Sequence, residues 1–256
     1  MKPQVICVPG SVAPAAQRYR PLIEAIGDAA DLHMKDLEVY RETPPRADYS
    51  IEEELEAIDR LADSKHLGRF HLIGYSAGGF ISLAYAGTRP QQVASLALFE
   101  PARIPGELTA EEHAAFAALE AKLRGLQGSE FMSAFVREQV KPGVQVPPPP
   151  AAVSAEMQKR PAGIAALIRA FEAYRFDRAR LIEASFPVFL AYGDQTHEIE
   201  SIKAGVLAEL FADFRLRRYS GIHHFVPSEM IYTAAHAQEL LSHWRAAEAS
   251  AAQLPL

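Results

Sequence analysis

The strongest chemical signal in the sequence is a serine set between glycines, in the segment HLIGYSAGGF at residues 71–80. Acyl transfer needs a nucleophile that stands clear of the backbone, and a sharp turn from a strand into a helix provides such a position. Small residues at Gly74, Gly78 and Gly79 relieve the crowding within such a turn. A helix that begins directly after Ser76 also brings backbone N–H groups close to the reacting oxygen. Ser76 is therefore the predicted nucleophile, against the plainer interpretation of a turn that merely contains a serine.

The segments around Ser76 alternate between strand and helix patterns along most of the chain. Strand patterns occupy residues 4–10, 31–37, 69–75, 93–100, 187–194 and 214–220. Helical patterns occupy residues 51–66, 77–88, 200–212 and 228–246. Because most of the strands are short and nearly continuous apolar runs, they are typical of a parallel sheet that helices cover on both faces. The predicted fold class is α/β, with a mostly parallel sheet of about six strands.

Residues 102–186 interrupt this alternation, because they contain helical patterns and no evident strand. The helical patterns cover residues 110–124, 130–138 and 161–174. A proline-rich stretch at 146–150 is interpreted as a stiff, extended connector. We predict that residues 102–186 form a helical cap or lid, inserted into an α/β core made of residues 1–101 and 187–256.

The composition of the chain limits its partners and its location. The 256 residues carry a net charge of −6, which provides no basic field to attract nucleic acid or anionic lipid. The single cysteine, Cys7, lies in an apolar run and excludes an internal disulfide. No apolar run approaches the length of a membrane span, and the N-terminus lacks the basic and apolar regions of a signal peptide. We expect a cytoplasmic protein that acts on a small molecule, without nucleic-acid or membrane partners.

The turn at Ser76 and the order of the elements resemble the α/β-hydrolase superfamily over almost the whole chain. Members of that family follow an early strand with a His-Gly turn, and the next backbone N–H contributes to the oxyanion hole. Here Pro9 stands where histidine is usual, followed by Gly10 and Ser11. The resemblance therefore implies an oxyanion hole formed by the N–H groups of Ser11 and Ala77. It also implies that the two leading strands of the full family sheet are absent.

The same resemblance places the catalytic base in the loop after the last strand, where family members often carry G-x-G-H-F. The segment SGIHHF at residues 220–225 aligns His224 with that base. His223 replaces a small residue of the family pattern, so the choice between the two imidazoles stays open. His223 and Tyr75 are the predicted substrate contacts. We expect no metal, because neither the HExxH spacing nor a nearby set of carboxylates and histidines accompanies the adjacent histidines. Acyl transfer to a serine needs no other cofactor.

The third catalytic residue departs from the family pattern. Family members usually carry an aspartate in the turn after the next-to-last strand, and Thr196 occupies that position here. Glu100 is the favoured substitute, because it ends the strand at 93–100 at the carboxyl edge of the sheet, where active sites gather. Certain haloalkane dehalogenases and zearalenone lactonases of the superfamily place their acid there. Asp194 is the lower-ranked alternative, and Glu198 is a third.

Ser76, His224 and a carboxylate together predict two-step acyl transfer through an acyl-enzyme. The expected substrate is a carboxylic ester or lactone, and the apolar residues at helical spacing within 102–186 favour a moderately large, apolar one. The alternatives on the same fold are a C–C bond hydrolase, a thioesterase, a lyase and a non-catalytic ligand-binding protein. Three arginines could orient a substrate carboxylate, although arginines are usually solvated surface residues: Arg103, Arg169 and Arg175.

Overall fold

The computed structural model of the chain describes residues 2–146 and 154–251. The prolines at 147–150, interpreted as a connector, lie outside those residues. The strands are β1 (Gln4–Val8), β2 (Asp31–Met34), β3 (Phe70–Tyr75), β4 (Val93–Phe99), β5 (Val188–Gly193) and β6 (Phe214–Tyr219). They form one six-stranded sheet in the order β2-β1-β3-β4-β5-β6, and every strand is parallel to its neighbours. The predicted α/β class with a parallel sheet is confirmed.

Burial along the strands explains the apolar runs in the sequence. Every residue of β3 and nearly every residue of β4 is buried, because helices pack on both faces of the sheet. β6 lies at the edge of the sheet and exposes most of its residues, which include three arginines. Charged side chains on an edge strand oppose pairing with a further strand. β3 and β4 therefore form the packed centre of the sheet, and they lead side by side to Ser76 and Glu100.

Two groups of helices cover the two faces of the sheet. One face packs against α1 (Ala15–Arg18), α2 (Arg20–Ile26) and α12 (Ala234–Ala251), with Trp244 buried in that layer. The other face packs against α3 (Ile51–Ser64), α4 (Ala77–Thr88) and α10 (Ile199–Leu210). A capping box begins α3, because the Glu53 carboxylate accepts a hydrogen bond from the Ser50 N–H. Within the described part of the chain, no helix combines the length and the apolar character needed to cross a membrane.

The helix predicted at 228–246 is two helices in the structure. α11 (Ser228–Ile231) ends at Ile231, and α12 begins at Ala234. The Thr233 hydroxyl accepts a hydrogen bond from the His236 N–H at 3.3 Å. Threonine is favourable at a helix start, because its hydroxyl satisfies a backbone donor that has no partner within the helix. The prediction of one continuous helix was therefore wrong, because Thr233 is suited to begin a new helix.

The chain between β4 and β5 forms helices, with no strand among its described residues. The helices are α5 (Ala110–Leu123), α6 (Gly128–Arg137), α7 (Ala155–Gln158), α8 (Arg160–Ala173) and α9 (Ala179–Ile182). The three predicted helices agree with α5, α6 and α8 within two residues at each end. Leu167 and Ala170 of α8 belong to the same apolar cluster as the helices over the sheet. We refer to the described residues 102–146 and 154–186 as the insertion, and its function as a cap stays a prediction.

Candidate active site

Ser76 lies at a strained turn between β3 and α4. Its φ of 53° and ψ of −116° fall in a region that residues with a side chain rarely adopt. The glycines around it are needed for space. A Cβ on Gly74 would lie 2.6 Å from the Gly78 carbonyl oxygen, and a Cβ on Gly78 would overlap the Val8 carbonyl oxygen. The predicted strand, turn and helix are all present, and they leave Ser76 7% exposed at the start of α4.

Hydrogen bonds tie the turn at Ser76 to the end of β4. The Ser76 N–H donates to the Phe99 carbonyl oxygen at 3.1 Å, and the Ala102 N–H donates to the Ser76 carbonyl oxygen at 2.8 Å. Glu100 lies between Phe99 and Ala102 in the chain, and its φ of 46° is also in the left-handed region. Two residues with strained backbone therefore lie at the carboxyl edge of neighbouring strands, where sites on parallel sheets form.

Glu100 is fully buried, and three hydrogen bonds fix its carboxylate. Its Oε2 lies 2.6 Å from His224 Nδ1. Its Oε1 accepts from the Gly193 N–H at 2.7 Å and from the Thr196 hydroxyl at 2.6 Å. An ionised carboxylate can only accept a hydrogen bond, so the pairing assigns a proton to Nδ1 of His224. Nε2 of the neutral imidazole is then free to act as a base. The structure thus brings His224 and Glu100 together in an arrangement suited to a catalytic base and its acid.

The other two candidate acids do not pair with the imidazole of His224. Asp194 Oδ1 accepts a hydrogen bond of 2.8 Å from a backbone N–H group in the turn after β6. Glu198 is exposed at the start of α10. Within residues 2–146 and 154–251, neither carboxylate has a hydrogen bond or an ion pair with His224. Thr196, which stands where the family pattern has aspartate, supports the Glu100 carboxylate instead.

Tyr75 contacts His224 through its ring and through its hydroxyl. The two rings stack with their centres 5.0 Å apart, and the Tyr75 hydroxyl donates to the His224 carbonyl oxygen. The guanidinium carbon of Arg18 lies 4.0 Å from the centre of the Tyr75 ring. Tyr75 is buried, and its contacts orient the imidazole. The predicted contact between Tyr75 and substrate stays a prediction.

His223 has different surroundings from His224. Its Nδ1 accepts a hydrogen bond from the Phe225 N–H at 3.1 Å, and burial lowers the pKa of His223. His224 is the neighbour that pairs with a carboxylate, which favours it as the base. The proposed contact of His223 with substrate stays a prediction. Among the residues that the structure describes, no group of three or more His, Cys, Asp and Glu side chains is arranged to hold a metal ion.

Ser11 and Ala77, the predicted oxyanion-hole residues, line one cavity together with Ser76. The Ser11 carbonyl oxygen accepts from the Tyr40 hydroxyl at 2.7 Å and from Arg160 Nη1 at 3.1 Å. Arg160 is 2% exposed, and its guanidinium carbon lies 4.1 Å from the centre of the Tyr40 ring. Arg160 belongs to the insertion, whereas Tyr40 follows β2. Two parts of the chain that are distant in sequence therefore form hydrogen bonds to the loop whose N–H group is predicted to bind an oxyanion.

The cavity beside Ser76 has a volume of about 120 Å³. Most of its lining side chains are apolar and come from α5, α6 and α8 of the insertion: Phe116, Leu119, Leu123, Phe135, Ile164, Leu167, Ile168 and Phe171. Arg103 and Glu120 are its charged lining residues. Arg169 and Arg175 are exposed and lie outside the cavity lining. The cavity therefore suits an apolar group held next to the serine hydroxyl.

Lys203 and Glu200 support the turn that carries Glu100, and neither was among the predicted site residues. Lys203 Nζ donates to the Pro101 carbonyl oxygen and, at 2.7 Å, to Glu200 Oε1. Both side chains are buried, and burial raises the pKa of Glu200. Their spacing of three residues on α10 was the available signal, because it places both on one face of the helix.

Comparisons with known proteins agree with the observed fold. A family model described as the alpha/beta hydrolase fold matches residues 5–229. A search of the curated proteins finds no match.

Several solved structures of enzymes are similar to this chain. A hydrolase from Pseudomonas aeruginosa PA01 has a TM-score of 0.69 and 18% identity, and the match covers 94% of this chain and 89% of that one. A haloalkane dehalogenase variant from Bradyrhizobium elkanii has a TM-score of 0.68 and 15% identity, with 98% and 92% covered. A meta-cleavage product hydrolase from Pseudomonas fluorescens IP01 has a TM-score of 0.64 and 16% identity, with 96% and 91% covered. At these identities the likeness shows the fold alone.

Proposed function

The chain belongs to the alpha/beta hydrolase family, and from that premise we propose that it is a serine hydrolase that cleaves a carboxylic ester or lactone. The observation that carries the proposal is the 2.6 Å pairing of Glu100 Oε2 with His224 Nδ1 at the sheet edge that also presents Ser76. A buried pair of carboxylate and imidazole, together with a strained serine at the same edge of the sheet, are the parts that acyl transfer uses.

The proposed reaction has two halves that share one base. His224 Nε2 takes the proton of Ser76 as its hydroxyl oxygen attacks the carbonyl carbon. The N–H groups of Ser11 and Ala77 stabilise the resulting oxyanion. His224 then gives its proton to the leaving alcohol oxygen as the ester bond breaks, which leaves an acyl group on Ser76. A water molecule, deprotonated by His224, attacks the carbonyl carbon of that acyl group. His224 then returns the proton to the Ser76 oxygen as the bond between that oxygen and the acyl carbon breaks and the acid leaves.

Glu100 has an indirect part in the proposed reaction. Its Oε2 keeps the proton of His224 on Nδ1 and stabilises the imidazolium that forms when Nε2 accepts a proton. The donors on Oε1, from Gly193 and Thr196, hold the carboxylate in the orientation that this pairing needs. Thr196 therefore acts through Glu100 and has no need to carry a charge itself.

The lining of the cavity favours a substrate that carries an apolar group. Its walls are mainly aliphatic and aromatic side chains of the insertion, and burying such groups is favourable at roughly 25 cal/mol per Å² of apolar surface. We therefore propose that residues 102–186 serve as the cap of the site and that they select the substrate. The sheet edge supplies the reacting groups.

An active-site probe tests the proposal directly. A fluorophosphonate should label the wild-type protein with one probe per chain, and Ser76→Ala should abolish labelling. Ser201→Ala, which alters an exposed serine of α10, is the matched control and should label fully. Hydrolysis of p-nitrophenyl esters should fall by at least about 10³-fold in Ser76→Ala. A folded wild-type protein that resists the probe and the esters would favour a ligand-binding protein, and a substrate panel would separate ester from C–C or thioester cleavage.

A further inference from the structure

One positive charge lies in the wall of the cavity beside the predicted nucleophile. Arg103 is a lining residue, and it directly follows Ala102, whose N–H donates to the Ser76 carbonyl oxygen at 2.8 Å. The Arg103 guanidinium carbon lies 5.1 Å from the centre of the Phe116 ring, which belongs to the same wall. Contact with the face of an aromatic ring favours a guanidinium without neutralising its charge. The backbone at Ser76 and the ring of Phe116 therefore position Arg103 at the site.

Three buried carboxylates of the surrounding structure have other partners. The Glu100 carboxylate bonds to His224, and the Glu200 carboxylate bonds to Lys203. Both oxygens of Glu112 bond to Arg178, at 2.7 and 2.9 Å.

Arg103 itself forms no ion pair within 4.0 Å with any carboxylate that the structure describes. Glu120, the acidic residue of the cavity lining, is exposed and shares no ion pair with it. The guanidinium thus keeps an uncompensated charge next to apolar walls, where an anion would interact with it more strongly than in bulk water.

We propose that Arg103 binds a carboxylate of the substrate, so that the natural substrate is an ester or lactone with an apolar body and a separate carboxylate group. The planar fork of a guanidinium matches the two oxygens of a carboxylate. One guanidinium neutralises one such group, whereas a phosphate dianion would leave excess negative charge on a wall that also contains Glu120. This proposal rests on the proposed function, because it names the substrate class of the same site.

Matched ester pairs test the proposal. The p-nitrophenyl hexanoate and the mono-p-nitrophenyl ester of adipic acid have acyl chains of equal length that end in a methyl and a carboxylate group, respectively. The octanoate and suberate esters form a longer pair. Arg103→Met should lower kcat/KM for the anionic ester of at least one pair by about 10- to 100-fold, the range for a hydrogen bond to a charged group. The neutral ester of each pair is the internal reference, so the ratio of anionic to neutral kcat/KM should fall by the same factor. Arg175→Met, which removes an exposed arginine outside the cavity, should leave both ester types unchanged.

Two outcomes would contradict different parts of the argument. If wild type and Arg103→Met hydrolyse neutral esters and show the same ratio of anionic to neutral kcat/KM in both pairs, the carboxylate assignment is wrong. If no ester is hydrolysed and Ser76 does not react with the probe, the proposed function is wrong. Arg103→Lys is the second variant should Arg103→Met fail to fold. It keeps the charge but loses the fork, so the preference for the anionic ester should shrink, and an unchanged preference would overturn bidentate binding.

Discussion

The sheet side of the candidate site and the insertion side are built in different ways. Ser76, Glu100 and His224 follow strands of the sheet and are buried. Hydrogen bonds tie Ser76 and Glu100 to neighbouring backbone, and His224 pairs with the Glu100 carboxylate. The insertion contributes side chains of helices to the cavity, and several of them, such as Ile168 and Phe171, are only partly buried. The difference teaches that backbone geometry fixes the proposed reacting groups, whereas the proposed selection of substrate would depend on side chains that can change without disturbing the sheet.

Several contacts cross between the two sides, and one of them reaches the loop that carries Ser11. Arg160 begins α8 of the insertion, yet its guanidinium bonds to the Ser11 carbonyl oxygen of the loop after β1. The insertion therefore also supports the predicted oxyanion hole. Substitutions can show how far the division between chemistry and selection holds.

On the sheet side, Glu100→Gln should have the largest effect. Glutamine keeps the size of the side chain but loses the charge that stabilises the imidazolium. We expect kcat/KM for every ester to fall by about 10³-fold, because an amide favours the wrong tautomer of the base. Steady-state kinetics on neutral p-nitrophenyl esters measures the loss. Equal activity of Glu100→Gln and the wild type would reject Glu100 as the acid.

Asp194→Asn is the matched control for that substitution. Asp194 accepts a backbone N–H from the turn after β6, so its loss should change kcat/KM by less than about tenfold. A further variant combines Glu100→Gln with Thr196→Asp, which returns a carboxylate to the position usual in the family. It should regain at least about tenfold over Glu100→Gln if the imidazole needs a nearby charge more than one particular side chain.

Arg160→Met tests the contact between the insertion and the Ser11 loop. We expect kcat to fall by about 10- to 100-fold with a small change in KM, because a loosened loop weakens stabilisation of the oxyanion more than binding of the ground state. The loss should be the same for short and long esters. Arg169→Met alters an exposed arginine of the same helix and is the control. A change confined to KM, or one that depends on chain length, would place Arg160 with the selecting residues of the insertion.

Acid should lower the free energy of unfolding through a buried group on the sheet side, with no equivalent contribution from the insertion. His71 lies on β3 with its Nδ1 2.8 Å from Ser95 Oγ, and burial lowers the pKa of His71 from 6.5 to about 3. The folded state therefore resists protonation, so the free energy of unfolding is highest above pH 6.5 and decreases as the pH falls below it. From His71 alone we expect a loss of about 1.4 kcal/mol between pH 8 and pH 5.5.

Urea unfolding at the two pH values measures that loss. His71→Asn should reduce the difference between them by the same amount, whatever it does to stability at pH 8. His113, the one histidine in the sequence of residues 102–186, is exposed, so His113→Asn should leave the difference unchanged. If the difference persisted in His71→Asn and disappeared in His113→Asn, the acid-sensitive group would lie in the insertion.

The sequence predicted most of the sheet side, because its signals are local. The apolar runs of β3 and β4, the glycines around Ser76 and the position of Glu100 at a strand end each depend on a few consecutive residues. Pairing of Glu100 with His224 required only that the carboxyl ends of parallel strands share one edge.

The insertion side was predicted less completely, since its contacts join distant residues. Arg160 and Ser11 are separated by 149 positions, and helical periodicity does not specify which loop a helix end will contact. Similarly, no helix was assigned to residues 15–26, where the structure has α1 and α2. Prolines at 14 and 21 are compatible with helix starts, but they also mark turns, and the local pattern does not choose between them.

At Ser76, the left-handed backbone conformation that the proposed chemistry needs is one that lowers the stability of the fold. Glycine would adopt the same conformation without the penalty of roughly 1 kcal/mol or more that a side chain incurs there. Selection for thermal robustness alone would therefore remove the hydroxyl, and a library screened only for heat resistance should accumulate inactive glycine variants at this position.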